Sequence, residues 1–257
     1  MTMLNIKEIQ NIQLEILKKV TYFCDKHKIK YFLCCGTLCG AIVKKGFFAW
    51  DNDIDILMPR CDYEKFINMF DYEGLNLLTC NRKDYYYPYA KVVDQRTIAY
   101  ECKNNISDYG VFIDVFPLDG VPNKLYLYML KPLKYLMMSK WGCHLDKRNI
   151  LVKIIYKIIS ILTIPIPRNY FAKVLNNICK KHTINNCDKS GIVVHYRKYC
   201  ELVDSSIFDK RVKVIFEDYK FYAPQKYDEY LRSLYGNYYE EDTHETKNHF
   251  IAYWKKG

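Results

Sequence analysis

Asp53 and Asp55 stand two residues apart in the stretch DNDIDILM, where acids alternate with apolar residues. Alternation of period two marks a strand with unlike faces, so both carboxylates point the same way, a few ångströms apart. Charges of one sign that close repel, and each raises the other's pKa unless a cation lies between them. A hard divalent ion, Mg²⁺ or Mn²⁺, bound through carboxylate oxygens meets that need. Alone the pair is a weak signal, because surface strands often carry one. Two further features strengthen it. Gly36 and Thr37 come directly after the apolar run KYFLCC and open a helical pattern, TLCGAIVK. Small residues at a helix start let backbone N–H groups and the helix dipole approach a phosphate. Asp114 sits inside the apolar run VFIDVF. A lone buried carboxylate is costly, so a role as third metal ligand accounts for it. The alternative is a core aspartate satisfied by backbone or by an arginine.

These residues need a sheet to hold them. Ile6, Ile9, Ile12, Ile16, Leu17, Val20 and Phe23 recur at helical spacing and predict an amphipathic helix packed on the strands after it. KYFLCC, residues 30–35, reads as a buried strand, GFFAW as an aromatic loop, and DNDIDILM as a strand ended by Pro59. A helix is predicted over 61–70, and strands over 75–79, 89–93, 97–101 and 110–116. The fold class is therefore α/β, of the α+β kind, with a mixed sheet. A phosphate-binding turn, a carboxylate pair on the next strand and a third acid on a later strand form the layout of a polymerase-β-type nucleotidyltransferase. Residues 1–123 read as that catalytic core and 124–205 as a basic helical insertion, with a helix over 170–181. Residues 206–257 read as a hairpin (212–222) and a helix capped by Gly236, which complete the core.

The chain has 257 residues, enough for one large domain or two small ones. Half of the residues are hydrophobic and 26% are charged, which fits a globular protein and excludes a disordered one. The formal net charge of +10 suits an anionic partner. Most of it lies in 124–168, where nine Lys/Arg against one acid, Asp146, leave +8. Two readings stay open for this segment: a helical cover with its lysines in water, or an interfacial element on anionic lipid. Lysines interrupt both of its apolar stretches, so neither has the roughly 18 uninterrupted apolar residues of a spanning helix. Nucleic acid is not the expected partner, because Asp53, Asp55 and Asp114 would repel it at the centre of the fold. Eleven cysteines, scattered, without a C-x-x-C pair or a secretory leader, read as free thiols in a reducing cytoplasm. Cys179, His182, Cys187, His195 and Cys200 match no common zinc spacing. The expected location is cytoplasmic, with peripheral contact at the inner face of the membrane on the lipid reading.

Four stretches, in order, carry a resemblance. They are GTLCGAIVKKGFFAWDNDIDILMPRCDYEKF, YPYAKVVDQRT, GVFIDVFPLDGVP and FEDYKFYAPQKYDEYLRSLYGNYY. Together they resemble the LicD-type phosphotransferases, the group that includes the fukutin-related proteins, over roughly residues 10–120 and 210–240. The resemblance implies a nucleotidyltransferase-like fold. It also implies transfer of a substituted phosphate, typically phosphocholine from CDP-choline, to a hydroxyl of a surface or lipid-linked glycan such as lipopolysaccharide or teichoic acid. It implies Asp53, Asp55 and Asp114 as the catalytic, metal-binding carboxylates, Gly36 and Thr37 as the phosphate turn, and Lys91 as the lysine of a K-V motif. This chain departs from the pattern at Asn52, where an acid is usual, and at Lys44, where arginine is usual. A lysine there replaces any bidentate phosphate contact with a point charge. Lys91 and Lys44 are candidates to balance charge on a leaving nucleotide; the alternative for each is a solvated lysine. Trp50 reads first as packing beside the site, with a cation–π contact to a quaternary ammonium open to it and to Tyr85, Tyr86 and Tyr87. Asp51 and Asp119 read as turn residues, and His244 and His249 carry no assigned role. The same carboxylates also suit a true nucleotidyltransferase, which moves a nucleoside monophosphate and releases pyrophosphate.

Overall fold

The computed structural model describes residues 1–100, 109–139, 149–195, 201–239 and 250–255. A mixed sheet forms its centre, in the order β1 (Phe32–Leu33), β2 (Asp55–Pro59), β6 (Phe112–Val121), β4 (Ala90–Asp94) and β3 (Leu75–Leu78). β2 runs parallel to β6, and the other neighbours are antiparallel. The far half of β6 also pairs with β7 (Lys189–Gly191), which pairs with β8 (Val203–Asp204). The segment 124–205 thus adds strand to the main sheet as well as helices. β9 (Arg211–Phe216) and β10 (Tyr219–Pro224) form the expected hairpin. β11 (Ile251–Trp254) pairs with β5 (Thr97–Tyr100), a pairing that no local pattern announces.

α1 (Ile6–Lys26) is the predicted amphipathic helix, extended by one turn. Asn5 caps it reciprocally: its side chain accepts the Glu8 N–H at 2.9 Å, and Glu8 accepts the Asn5 N–H at 2.8 Å. Its apolar stripe, Ile9 through Phe23, is buried against β4 and β6. Burial of each such side chain is worth roughly 1.5–3 kcal/mol, which outweighs helix propensity in fixing the element. α2 (Cys35–Val43) begins one residue earlier than its glycine suggests, and α3 (Arg60–Met69) continues from β2 with no loop between them. The strand in DNDIDILM starts only at Asp55, so Asp53 stands just outside the ladder.

α4 (Lys124–Ser139) packs on α6 (Tyr170–Cys179) and touches α5 (Ile150–Leu162). α7 (Tyr227–Tyr235) ends at Gly236, whose φ of +69° only glycine adopts freely. Glu101, Lys140, Asp146, Lys147, Arg148, Cys200, His244 and His249 lie outside the described residues.

Candidate active site

Register sets the site. Asp55 on β2 lies directly beside Asp114 on β6, and Asp114 lies directly beside Lys91 on β4. Three adjacent strands therefore carry acid, acid and base in one row across the sheet. Lys91 Nζ stands 2.6 Å from Asp114 Oδ1 and 3.4 Å from the centroid of the Phe112 ring. It is 1% exposed, which excludes the alternative of a solvated strand lysine. A buried ammonium needs such a partner, and a carboxylate with a ring face supplies it.

The row opens into a cleft of about 450 Å³. Asp51, Asp53, Asp55 and Asp114 line it, beside Gly36 in the first turn of α2. Asp51 closes the turn that begins at Phe48, its N–H 3.0 Å from the Phe48 carbonyl oxygen, and it is also buried and lines the cleft. A Cβ on Gly36 would stand 3.3 Å from Asp51 Oδ2, closer than most side chains pack, so the glycine is what admits this acid. Burial, and then the Asp53 charge, push the Asp51 carboxyl up to about 9. Asp55 is pushed well above the usual carboxylate range by burial first, then by Asp53, Cys35 and Asp114. Thr37 is held inward: its hydroxyl accepts the Asp55 N–H at 2.8 Å and pins the start of β2. Lys44 is exposed at the end of α2 and does not line the cleft.

α1 positions the acidic loop. Gln10 Nε2 donates to the carbonyls of Asp51 (2.8 Å) and Phe48 (3.1 Å). Gln13 Nε2 donates to those of Asn52 (2.8 Å) and Phe112 (3.0 Å). Both glutamines are buried on the helix face that reads as apolar, and the helical pattern alone does not single them out. Trp50 lines the cleft and stacks on Phe48, with centroids 5.4 Å apart and planes 10° apart, in keeping with packing beside the site.

Aromatic rings also line the cleft. Tyr87, Tyr89, Phe116 and His195 line it, with Tyr89 and Phe116 centroids 4.4 Å apart and Tyr89 and His195 5.4 Å apart. Tyr85 and Tyr86 are fully buried and do not line the cleft. Tyr230, Leu234 and Tyr235 from α7 close one wall, and Glu201 reaches it from the segment before β8. The reading of Asp119 as a turn residue is corrected. It lies on β6, fully buried, and its carboxylate takes both Nε and Nη2 of Arg60 at 2.7 and 2.5 Å. Arg60 donates in addition to Asn176 at 2.8 Å, so this pair ties α3, β6 and α6 together away from the cleft.

The four carboxylates offer the hard oxygen donors that Mg²⁺ or Mn²⁺ prefers. As placed, no three acid, histidine or cysteine side chains among the described residues converge closely enough to enclose an ion. Asp114 turns to Lys91. A divalent cation would offset the repulsion that, after burial, raises Asp51 and Asp55, so the donor set fits one.

A family model described as the LicD/FKTN/FKRP nucleotidyltransferase domain matches residues 28–141. The lipopolysaccharide cholinephosphotransferase LicD of Haemophilus influenzae is 30% identical, over 93% of this chain and 92% of its own length. The match to that relative extends well past the family model, through the helical segment and into the C-terminal hairpin.

Proposed function

The chain belongs to the LicD family, and on that ground we propose that it transfers phosphocholine from a CDP-activated donor to a hydroxyl of a surface or lipid-linked glycan. The observation that carries this reading is a single cleft lined by carboxylates and by aromatic rings, with Lys91 in reach of both. A nucleoside diphosphate esterified to a quaternary ammonium alcohol has two matching parts. Its diphosphate needs positive charge, and its head group suits ring faces. The Tyr87 and Tyr89 centroids already lie 5.0 and 5.7 Å from the Lys91 ammonium, a spacing typical of cation–π contact.

The acceptor oxygen attacks the phosphorus that bears choline, its proton passes to a cleft carboxylate, and CMP departs with the electrons of the broken P–O bond. A divalent ion held by Asp53, Asp55 and Asp114 would supply the charge that lets an oxygen nucleophile approach a diphosphate. The chain's own groups do the rest. Lys91 compensates Asp114 and offers positive charge beside the leaving nucleotide. The first turn of α2, at Gly36, presents backbone N–H groups to a phosphate. The pinned loop at 48–52 fixes Asp51 and Asp53 relative to Asp55. In-line displacement demands that these parts hold still, since small misplacements cost orders of magnitude in rate.

The test is a donor screen with purified protein and Mg²⁺, reading the nucleotide released. CDP-choline with a glycan acceptor is expected to yield CMP, and CTP with choline phosphate is expected to yield no pyrophosphate. Asp53→Asn and Asp55→Asn should each lose more than about tenfold in turnover, about 1.4 kcal/mol of barrier, while keeping wild-type circular dichroism. Pyrophosphate release from a nucleoside triphosphate, with no CMP from any CDP-alcohol, would replace this reading with nucleotidyl transfer.

A further inference from the structure

Twelve of the 22 exposed large apolar side chains among the described residues lie between 125 and 170. On α5 they form one stripe. Ile150, Ile154, Ile155, Ile158, Ile161 and Leu162 fall within roughly 140° of arc at 3.6 residues per turn. Each of these six is about half exposed or more, up to 73% at Leu162. The opposite side of the helix turns Tyr156 inward, against Tyr135 of α4. An amphipathic helix on a globular protein ordinarily buries its apolar stripe; this one turns it to the outside. α4 continues the surface with Leu125, Tyr128 and Met129, and the turn after α5 adds Ile164 at 72% exposure. Lys153 and Lys157 border the stripe on α5. Lys131 lies beside Tyr128, its Nζ 4.2 Å from the ring centroid.

We infer that this α4–α5 face docks on an anionic lipid bilayer, with the isoleucine stripe in the interface and the lysines among the headgroups. Charge selects this occupant over a second copy of the chain. Lys131, Lys153 and Lys157 border the face, and the described part of 124–168 carries no acid, so two copies packed face to face would oppose lysine to lysine. An anionic surface complements the same lysines. Patches of this kind on monomers mark binding surfaces. Among the described residues no helix is long and apolar enough to cross a membrane. α5, with 13 residues, is about 20 Å long, against a hydrocarbon core of about 30 Å. The element therefore lies on a bilayer and does not span it.

The experiment is co-sedimentation of the full chain with vesicles of phosphatidylcholine alone or mixed with phosphatidylglycerol, at about 0.1 M and about 1 M salt, where the screening length falls from about 10 to about 3 Å. The protein should bind the mixed vesicles at low salt, bind neutral vesicles at least about tenfold more weakly, and release at high salt. The triple variant Ile154→Ser/Ile158→Ser/Ile161→Ser should lose about tenfold or more in binding. In a separate variant, Ile158→Trp, tryptophan emission should shift to the blue only with mixed vesicles, which reads insertion in a protein whose exposed site tolerates the change. Absence of binding, equal binding to both vesicle types, or unchanged binding by the triple variant would overturn the inference. A dimer in solution that the triple variant dissolves, without vesicle binding, would assign the face to a second copy instead. The transfer reaction plays no part in these measurements, so their outcome is separate from that of the donor screen.

Discussion

Asp51 carries the clearest consequence at the scale of single residues. Its carboxyl is pushed up to about 9 by burial and by Asp53, and Asp55 is raised beside it. An unfolded aspartate titrates near 3.9. The folded state therefore holds protons that the unfolded state has already released. Stability from this source is complete below about pH 4 and is lost as pH rises toward about 9. In chelator, the melting temperature should fall as pH climbs from about 5 to about 9, and Asp51→Asn should flatten that decline. Parallel melting curves for the two proteins across this range would count against a raised Asp51 carboxyl. Lys91 illustrates a different balance. The buried ammonium is held by the Asp114 carboxylate and faces the Phe112 ring, and the Tyr87 and Tyr89 rings of the cleft stand within cation–π distance of it.

Helix α1 shows how an element can serve the core and the site together. Its isoleucines and leucines bury against the sheet, while Gln10 and Gln13 reach four backbone carbonyls at 48, 51, 52 and 112. Gln13→Leu would keep the helix and its burial but strip a donor from two carbonyls, at a cost of about 1–3 kcal/mol. The loop that carries Asp53 would then lose its register. Turnover should fall well beyond what the loss of stability explains, with a smaller change in KM. Leu17→Ala on the same helix is the control. It should cost roughly 2–5 kcal/mol in thermal or denaturant unfolding, yet leave kcat near wild type below the melting transition. Equal kcat in the two variants would mean that Gln13 serves packing alone.

For the whole molecule, the cleft is closed by parts far apart in the chain. The matched family domain ends at 141, but Tyr230, Leu234 and Tyr235 form a wall of the cleft. The last segment also completes the core. Phe208 packs on Phe32 at 5.5 Å between centroids, and Tyr222 packs on Tyr31 at 5.7 Å. Ile207, Phe208, Phe216, Phe221, Tyr230 and Leu231 are all buried. At roughly 2 kcal/mol each, their burial matches the entire stability of an ordinary domain, about 5–15 kcal/mol. A chain ended at residue 205 should therefore lose its near-ultraviolet circular dichroism and its cooperative unfolding transition. A folded, active fragment of that length would show that the C-terminal segment is accessory.

Residue order alone marks Asp55 and Asp114, because an acid opening or interrupting an apolar run is a local signal that needs no partner to be read; Asp53 reaches the same cleft from the loop before β2 rather than from the strand its alternation predicts. The helices over 6–23 and 61–70 and the hairpin over 212–222 are legible for the same reason. The position of Asp51 is not, since a residue in a loop shows its burial only when α1 and α2 have closed around it. Asp119 reads as a turn residue because its partner, Arg60, is 59 positions away and meets it only across the β2–β6 register. Tyr89, Phe116, His195 and Glu201 carry no common spacing, and only the pairing of β4, β6 and β7 gathers them around one cleft. The isoleucines of α5 make the opposite case. Their periodicity predicts an amphipathic helix, but which way its apolar face turns depends on what α4 and α6 leave uncovered, and packing leaves it outward.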